Sequence, residues 1–296
     1  MAALLLATLI AIDLRAHSAG SLWNTVGVAA LLLVAQPLLL VTVSFLITRV
    51  SGPTPAGPGK GRYALRALVS ETLQFIRTIF ALCAEAPGHA AAASASPTGE
   101  PARAVLLIHG ILCNRAVWSA LEDRLALAGY SPVSAVNLEP LFADLDAQAS
   151  RLMPELLALQ RQSHGAAVTI VCHSMGGLVA RALLRKVDAG AIDRIITIAT
   201  PHHGTAFARG LPWPALRQMA PGSVWLQGLN EEQEGRFSVP LHSIYSLEDN
   251  LIMPALSASL QGSQQHIVRG VGHLGLLRHI PVLDYIVSAL PGLPLS

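Results

Sequence analysis

Short apolar runs alternate with helical patterns of apolar residues over the carboxyl-terminal two-thirds of the chain. Runs rich in Val, Ile and Leu indicate strands, whereas apolar residues spaced three and four positions apart indicate helices. Their alternation is typical of a mostly parallel sheet flanked by helices, so we expect an α/β fold. The predicted strands are residues 104–108, 132–137, 167–172, 195–199, 241–246 and 265–269. The predicted helices are residues 115–128, 144–162, 175–187 and 276–290.

A longer apolar run lies near the amino terminus. Residues 22–48 carry no charged side chain, and as a helix they would extend roughly 40 Å, enough to cross a bilayer. We therefore expect a membrane anchor over residues 1–50, with its main span at residues 22–48. The apolar run 2–12 would reach only about 16 Å, so it could not span alone. One-span and two-span arrangements both stay open.

Basic residues lie mostly after this run: Arg15 alone precedes it, and the following ones are Arg49, Lys60, Arg62 and Arg66. Such an excess of positive charge predicts that the carboxyl-terminal domain is cytoplasmic. Residues 51–103 are expected to be a linker, because stretches rich in Gly, Pro, Ala and Ser flank an amphipathic helix at residues 63–83. That helix either lies on the membrane or packs under the globular domain, residues 104–296.

Composition narrows the possible partners. The chain has 296 residues, 52% of them hydrophobic, and a formal net charge of +2. This small charge, without a basic block interleaved with aromatic residues, gives no reason to expect nucleic-acid binding. Basic residues beside the apolar run could touch anionic membrane lipids. Three cysteines are too few for a disulfide framework, so we expect free thiols.

The chemistry-bearing pattern begins at Ser174. A strand leads into this serine, small residues flank it and a helical pattern follows, which is the arrangement of a nucleophile elbow. A serine hydroxyl needs a base and amide donors around the reacting oxygen, and a tight strand-to-helix turn can provide both. We assign the oxyanion hole to the backbone N–H groups of Ile111 and Met175. His109 is expected to shape the first of these two turns, not to transfer protons.

An acid and a histidine follow Ser174 in the order that this arrangement requires. Asp249 ends a β-rich run and is the expected acid, although the adjacent Glu248 stays open as an alternative. His273, among glycines before the last helix, is the expected general base. It would take the Ser174 proton while Asp249 orients its other ring nitrogen.

These motifs resemble a known family. Five segments are similar to segments of bacterial lipases and esterases of the α/β-hydrolase superfamily. They are the elbow, Leu106-Leu-Ile-His109-Gly110, Gly272-His273-Leu-Gly275, Thr200-Pro-His-His-Gly-Thr205 and the turn from Asp249 to Pro254. Cys172 stands where the family more often has glycine. The resemblance implies an α/β-hydrolase fold and carboxylic-ester hydrolysis through an acyl-enzyme, without a cofactor or metal. Since the resembled proteins are bacterial, the membrane of the expected anchor would be the bacterial inner membrane.

Several alternatives stay open at this point. The same triad could serve an acyltransferase or a thioesterase, or the chain could be a membrane-tethered binding module without catalysis. His202 and His203 are adjacent and lack further residues at metal-ligand spacing, so a structural or pocket-lining role is expected. Residues 205–239 are expected to form either a lid over an acyl-binding cleft or a packed loop with short helices.

Overall fold

A parallel six-stranded sheet forms the centre of the fold. The computed structural model describes residues 21–51, 60–84, 103–188, 190–233 and 235–291. The strands are β1 (Val105–Ile108), β2 (Val133–Val136), β3 (Val168–His173), β4 (Ile192–Ile198), β5 (Leu241–Ser246) and β6 (Gln264–Val268). They are ordered β2-β1-β3-β4-β5-β6, and every neighbouring pair runs parallel. All six predicted strands are thus confirmed.

Eight α-helices fall within the part of the chain that the structure describes. They are α1 (Ser21–Ser51), α2 (Lys60–Ala84), α3 (Ser119–Leu127), α4 (Leu145–Gln162), α5 (Met175–Leu184), α6 (Pro214–Met219), α7 (Val224–Gln233) and α8 (Ile280–Ala289). Short 3-10 turns at 115–118 and 275–278 precede α3 and α8, so these two predicted helices are each divided in two. Asp144 caps α4 by accepting from the Asp146 and Ala147 amides, which fixes where that helix begins.

Both faces of the sheet are covered, as expected for parallel strands. Successive strand residues point to opposite faces, so Leu106 and Ile108 pack with α4 and α5, whereas Val105 and Leu107 pack with α3 and α8. The chain turns from one side of β1 to the other between β2 and β3. The carboxyl ends of β1 and β3 therefore flank the crevice at which open α/β sheets bind ligands.

The helices α1 and α2 pack on one another and on the sheet domain; we refer to them as the amino-terminal helix pair. On α1, Val41 and Thr48 are buried, and Ser44 and Thr48 hydrogen-bond to Asn250 after β5. Phe75 of α2 packs against the apolar cluster that contains α3 and α8. The described part of α2 thus packs against the globular domain, which was one of the two arrangements expected for this helix.

The predicted membrane span at residues 22–48 has no support in the structure. Among the residues that the structure describes, no helix has both the length and the hydropathy for crossing a membrane. These residues do form one continuous helix, but part of it packs on the globular domain through Val41, Ser44 and Thr48. The expected short run at residues 2–12 and residues 52–59 and 85–102 of the expected linker lie outside the described residues.

Residues 205–239 form α6, α7 and the turns around them. Met219, Leu226 and Leu229 are buried in the same apolar cluster as α4 and α5. The Trp225 indole N–H donates to the Asp146 carboxylate on α4 at 2.7 Å. This segment packs on the domain as short helices, and its opening as a lid stays a prediction.

Candidate active site

Ser174 lies at a sharp turn between β3 and α5. Its backbone has φ 54° and ψ −125°, a left-handed conformation that non-glycine residues rarely adopt. Strain of this kind costs of the order of 1–3 kcal/mol and persists only where the surroundings enforce it. The Ser174 N–H donates to the Ile198 carbonyl oxygen at 2.8 Å, which ties the turn to β4. The elbow predicted from the sequence therefore exists as a backbone geometry.

The turn after β1 lies directly against this elbow. A Cβ atom on Gly110 would come within 2.7 Å of the Ser174 Cβ atom, so only glycine allows this approach. The two amides predicted to form the oxyanion hole belong to these adjoining turns: Ile111 follows Gly110 in the first turn, and Met175 is the first residue of α5. Their donation to a developing oxyanion stays a prediction.

His109 holds the first turn in place. Its Nε2 accepts from the Leu138 N–H at 3.0 Å, which leaves the proton on Nδ1, and Nδ1–H donates to the Gly110 carbonyl oxygen at 2.7 Å. With both ring nitrogens engaged with the backbone, His109 shapes the turn and has no free nitrogen for proton transfer.

His273 and Asp249 are in direct contact. The His273 Nδ1 lies 2.9 Å from Asp249 Oδ2, and both side chains are almost completely buried. Asp249 Oδ1 accepts from the Leu251 and Ile252 N–H groups, each at 2.8 Å, so the carboxylate is fixed by three donors. Burial alone would lower the pKa of His273, but the charge and hydrogen bond of Asp249, assisted by Glu71, raise it above the usual value.

Glu248, the alternative acid, points elsewhere. Its two carboxylate oxygens accept from the Arg269 side chain at 2.8 Å and from the Gly270 N–H at 2.7 Å. Glu248 therefore ties down the start of the loop that carries His273, and Asp249 is the carboxylate in contact with the imidazole.

His173 brings the loop and the elbow together. Its ring lies 4.6 Å from the His273 ring, centroid to centroid, and its Nε2–H donates to the His273 carbonyl oxygen at 3.3 Å. Burial, followed by the proximity of His273 and His109, lowers the pKa of His173 well below its usual value, so it stays neutral. Since His173 immediately precedes Ser174, this ring contact brings the His273 loop against the nucleophile elbow. No contact of this kind was predicted for His173 from the sequence.

The segment after β4 packs beneath the elbow. Thr200 contacts Gly177 so closely that a Cβ atom on this glycine would collide with the threonine side chain. His202 is buried between Arg181 and Thr197, and burial followed by the Arg181 charge lowers its pKa well below the usual value. His203 instead contacts Asn230 near the surface. Within the described ranges, no three His, Cys, Asp or Glu side chains cluster as metal ligands would.

Cys172 is accommodated where the resembled family more often has glycine. Its side chain is fully buried in the apolar cluster beneath the elbow, with Sγ 3.4 Å from the Ile196 carbonyl oxygen. Burial raises the pKa of Cys172, and burial followed by the charge of Glu71 raises that of Cys113 to about 12. Both are free thiols, as predicted, and both stay protonated and unreactive.

In the described part of the chain, cavities lie on either side of Ser174 in the strand order. One of about 350 Å³ lies between β2 and α4, and its lining includes Arg115, Asn137, Glu139 and Arg151. A more apolar cavity of about 310 Å³ lies between the segments after β4 and β5. Its lining includes Ala206, Pro221, Met253, Pro254 and Leu256.

Gly176 offers a test of how tightly the two turns are packed. A Cβ atom there would lie 2.6 Å from the carbonyl oxygens of Ile108 and His109, which are backbone atoms that cannot rotate away. We expect Gly176→Ala to lower the free energy of unfolding by about 3 kcal/mol, because overpacking must displace one turn. Urea unfolding of the purified protein measures this change.

The matched control is Gly228→Ala, in α7. A Cβ atom at Gly228 meets nothing within 4 Å, so the same substitution should stabilise by about 1 kcal/mol through helix propensity. Equal effects of the two substitutions would contradict the close packing of the elbow on the β1 turn.

Comparison with known proteins supports the fold. A family described as "Domain of unknown function (DUF7379)" matches residues 78–220, a little under half of the chain, including Ser174 but neither Asp249 nor His273. No curated protein sequence matches the chain.

Solved structures resemble the chain at low sequence identity. Lipase B of Aspergillus fumigatus is 21% identical, with a TM-score of 0.59, over 68% of this chain and 56% of the lipase. The mature lipase BlEst2 of Bacillus licheniformis is 17% identical, with a TM-score of 0.58, over 69% of this chain and 99% of that lipase. Phospholipase PlaB of Legionella pneumophila is 12% identical, with a TM-score of 0.53, over 66% of this chain and 60% of the phospholipase. The chain has an α/β-hydrolase-like fold, and it spans just over half the length of the Aspergillus lipase.

Proposed function

We propose that the protein is a serine hydrolase that cleaves carboxylic esters of apolar acyl groups. Ser174 is the nucleophile, His273 the general base and Asp249 the residue that orients it. The observation that carries the proposal is the buried His273–Asp249 hydrogen bond of 2.9 Å, with the His273 ring in contact with the ring of the residue before Ser174. Structures with this fold include proteins named as lipases and a phospholipase, which supports an ester as the substrate.

The reaction follows from the positions of these groups. His273 Nε2 takes the Ser174 hydroxyl proton while Oγ attacks the acyl carbon, and the amides of Ile111 and Met175 donate to the developing oxyanion. The imidazolium then gives its proton to the leaving alcohol, which leaves an acyl-enzyme. Water deprotonated by His273 hydrolyses that acyl-enzyme to the free acid. The apolar cavity lined by Met253, Pro254 and Leu256 is our candidate site for the acyl chain.

Product analysis tests this proposal against acyl transfer and thioester hydrolysis. The full chain should hydrolyse nitrophenyl esters of short and long acids, and the preferred length would separate an esterase from a lipase. With a competing alcohol present, we expect the free acid as the main product. A new ester as the main product would instead indicate an acyltransferase, and a marked preference for acyl thioesters a thioesterase. Absence of turnover, together with no fluorophosphonate labelling, would favour a binding module.

We further propose that the amino-terminal helix pair contacts a lipid surface. Five apolar side chains of these helices each expose more than half of their surface: Leu39 and Leu46 of α1, and Leu65, Val69 and Leu73 of α2. Four basic residues of the same helices are also exposed, namely Arg49, Arg62, Arg66 and Arg77, whereas the single acidic residue of the two helices, Glu71, is buried. Exposed apolar side chains on helices that also expose positive charge are typical of surfaces that bind anionic lipids. The cytoplasmic location stays a prediction.

Leu65→Glu/Leu73→Glu should weaken binding to vesicles that contain an anionic phospholipid by tenfold or more. The substitution removes two apolar contacts, each worth about 1.5 kcal/mol or more when buried, and introduces repulsion. Co-sedimentation measures the binding, and zwitterionic vesicles separate the apolar from the electrostatic contribution. Leu127→Glu is the control, because Leu127 is 90% exposed at the end of α3, outside the helix pair. Equal binding by both variants would contradict lipid contact at this surface.

A further inference from the structure

Glu71 is a buried carboxylate that the proposed triad does not use. It lies in the middle of α2, only 1% of its surface is exposed, and it reaches the loop that carries His273. Oε1 accepts from the Leu274 N–H at 2.9 Å, and Oε2 accepts from the Gly275 N–H at 2.8 Å. Glu71 thus binds the two amides directly after the proposed base, which lie 203 and 204 positions later in the sequence.

The loop is held at three consecutive amides. The His273 N–H donates to Asn250 Oδ1 at 3.0 Å, and the Asn250 side-chain amide donates to Ser44 Oγ of α1 at 2.8 Å. Together with the two bonds to Glu71, these contacts connect both helices of the pair to the His273 backbone. Gly272 completes the fit, because a Cβ atom there would lie 2.5 Å from Glu71 Oε2.

Burial of this carboxylate costs free energy, and its hydrogen bonds compensate only part of that cost. Desolvation raises the pKa of Glu71 to about 7, although the bonds from Leu274 and Gly275 and the proximity of His273 act in the opposite direction. A purely structural tie between a helix and a loop could be made by uncharged groups at lower cost. A negative charge is useful at this position because the neighbouring imidazole becomes positive during the proposed reaction.

We propose that Glu71 is a positioning residue for this reaction, fixing the His273 loop and stabilising the imidazolium that forms when His273 takes the Ser174 proton. The inference rests on the proposed function, since it assigns His273 the role of general base. As the Ser174 O–H bond breaks and the Nε2–H bond forms, Asp249 contacts the ring at Nδ1, and Glu71 provides a second negative charge above its pKa of about 7. The amino-terminal helix pair is then part of the catalytic unit and not only a membrane attachment.

Glu71→Gln tests the proposal, with Glu232→Gln as the control. Glu232 is exposed and pairs with Arg185 on the surface, where an ion pair contributes little. We expect Glu71→Gln to lower kcat about tenfold or more with little change in KM, because a displaced base loses rate without losing substrate contacts. Removing the charge also lowers the pKa of His273, so the acid limb of the kcat/KM profile should move to lower pH. Glu232→Gln should match the wild type.

A merely structural role would give a different result. The variant would then lose folded protein, seen as a lower Tm and fewer serines titrated by a fluorophosphonate, whereas kcat per titrated serine and the acid limb would be unchanged. That result would overturn the proposal. Glu71→Asp keeps the charge, so its acid limb should stay nearer the wild-type position even where the shorter side chain weakens the loop.

The role of Glu71 can be tested even if the proposed ester hydrolysis is wrong. If the wild type hydrolyses no ester, the titration of the His273 ring can still be followed by NMR in the wild type and in Glu71→Gln. A lower pKa of His273 in the variant would support the charge contact, and identical values would overturn it whatever the chain does to esters.

Discussion

Ser174→Ala should lower ester hydrolysis about 10⁶-fold, to the rate that oxyanion donors and substrate binding sustain without a nucleophile. In the proposed mechanism the Ser174 Oγ atom forms the acyl-enzyme, and no other serine lies at the strained turn where β3 meets α5. Initial rates with a short-chain nitrophenyl ester, corrected for the uncatalysed reaction, measure the loss. The variant should keep its fold, because alanine removes only one oxygen from a side chain of small volume.

The control is Ser150→Ala in α4. Ser150 is exposed, and its hydroxyl donates to the Asp146 carbonyl oxygen within the same helix, far in sequence from the elbow. We expect unchanged kcat and KM for this variant. Activity in Ser174→Ala near that of Ser150→Ala would mean that another group performs the chemistry.

Asp249→Asn should lower kcat about 10⁴-fold. The carboxylate accepts from His273 Nδ1 and from two backbone amides, so an asparagine must present its NH₂ group to one of these donors. The ring then loses both its tautomer and the charge that stabilises the imidazolium. Steady-state kinetics against a soluble ester measure the loss.

Glu248→Gln provides the comparison, because this adjacent carboxylate binds Arg269 and Gly270 and does not contact the imidazole. Its effect should be far smaller than that of Asp249→Asn. An equal or larger loss in Glu248→Gln would transfer the orienting role to Glu248.

The dependence of kcat/KM on pH also tests whether Asp249 interacts with His273. In the wild type the pKa of His273 is raised, chiefly by Asp249, so kcat/KM should fall as the pH drops through that raised value and the base becomes protonated. Without the Asp249 charge this pKa decreases, so the acid limb of Asp249→Asn should lie at lower pH.

Much of the sheet could be predicted because parallel strands buried on both faces are continuous apolar runs. β3 is buried at every position, and β5 has the same pattern. The carboxyl ends of such strands meet at one edge, so Ser174, Asp249 and His273 could be expected to converge from their order alone. Glu248 and Asp249 could not be separated with certainty, because the choice depends on the turn after β5.

The role of Glu71 could not be predicted from the sequence. A single glutamate in an amphipathic helix is ordinarily a solvent-facing residue, and its partners Leu274 and Gly275 use only backbone groups. His173 was missed for a related reason, because its ring contact with His273 depends on how a distant loop folds back.

Composition alone could not decide whether the apolar run at residues 22–48 spans a membrane. Uncharged apolar residues of this length are equally compatible with a span and with a helix that packs on a protein. Ser44 and Thr48 are ordinary in either setting, and their bonds with Asn250 are visible only in three dimensions.

Mapping a fluorophosphonate label tests the central claim most directly, because the reagent bonds covalently to an activated serine oxygen. The wild-type chain should carry one label, located on the peptide that contains Ser174. The label should be lost in Ser174→Ala and form far more slowly in His273→Ala. Labelling at another residue, or continued ester turnover by a Ser174→Ala chain that cannot be labelled, would contradict the account.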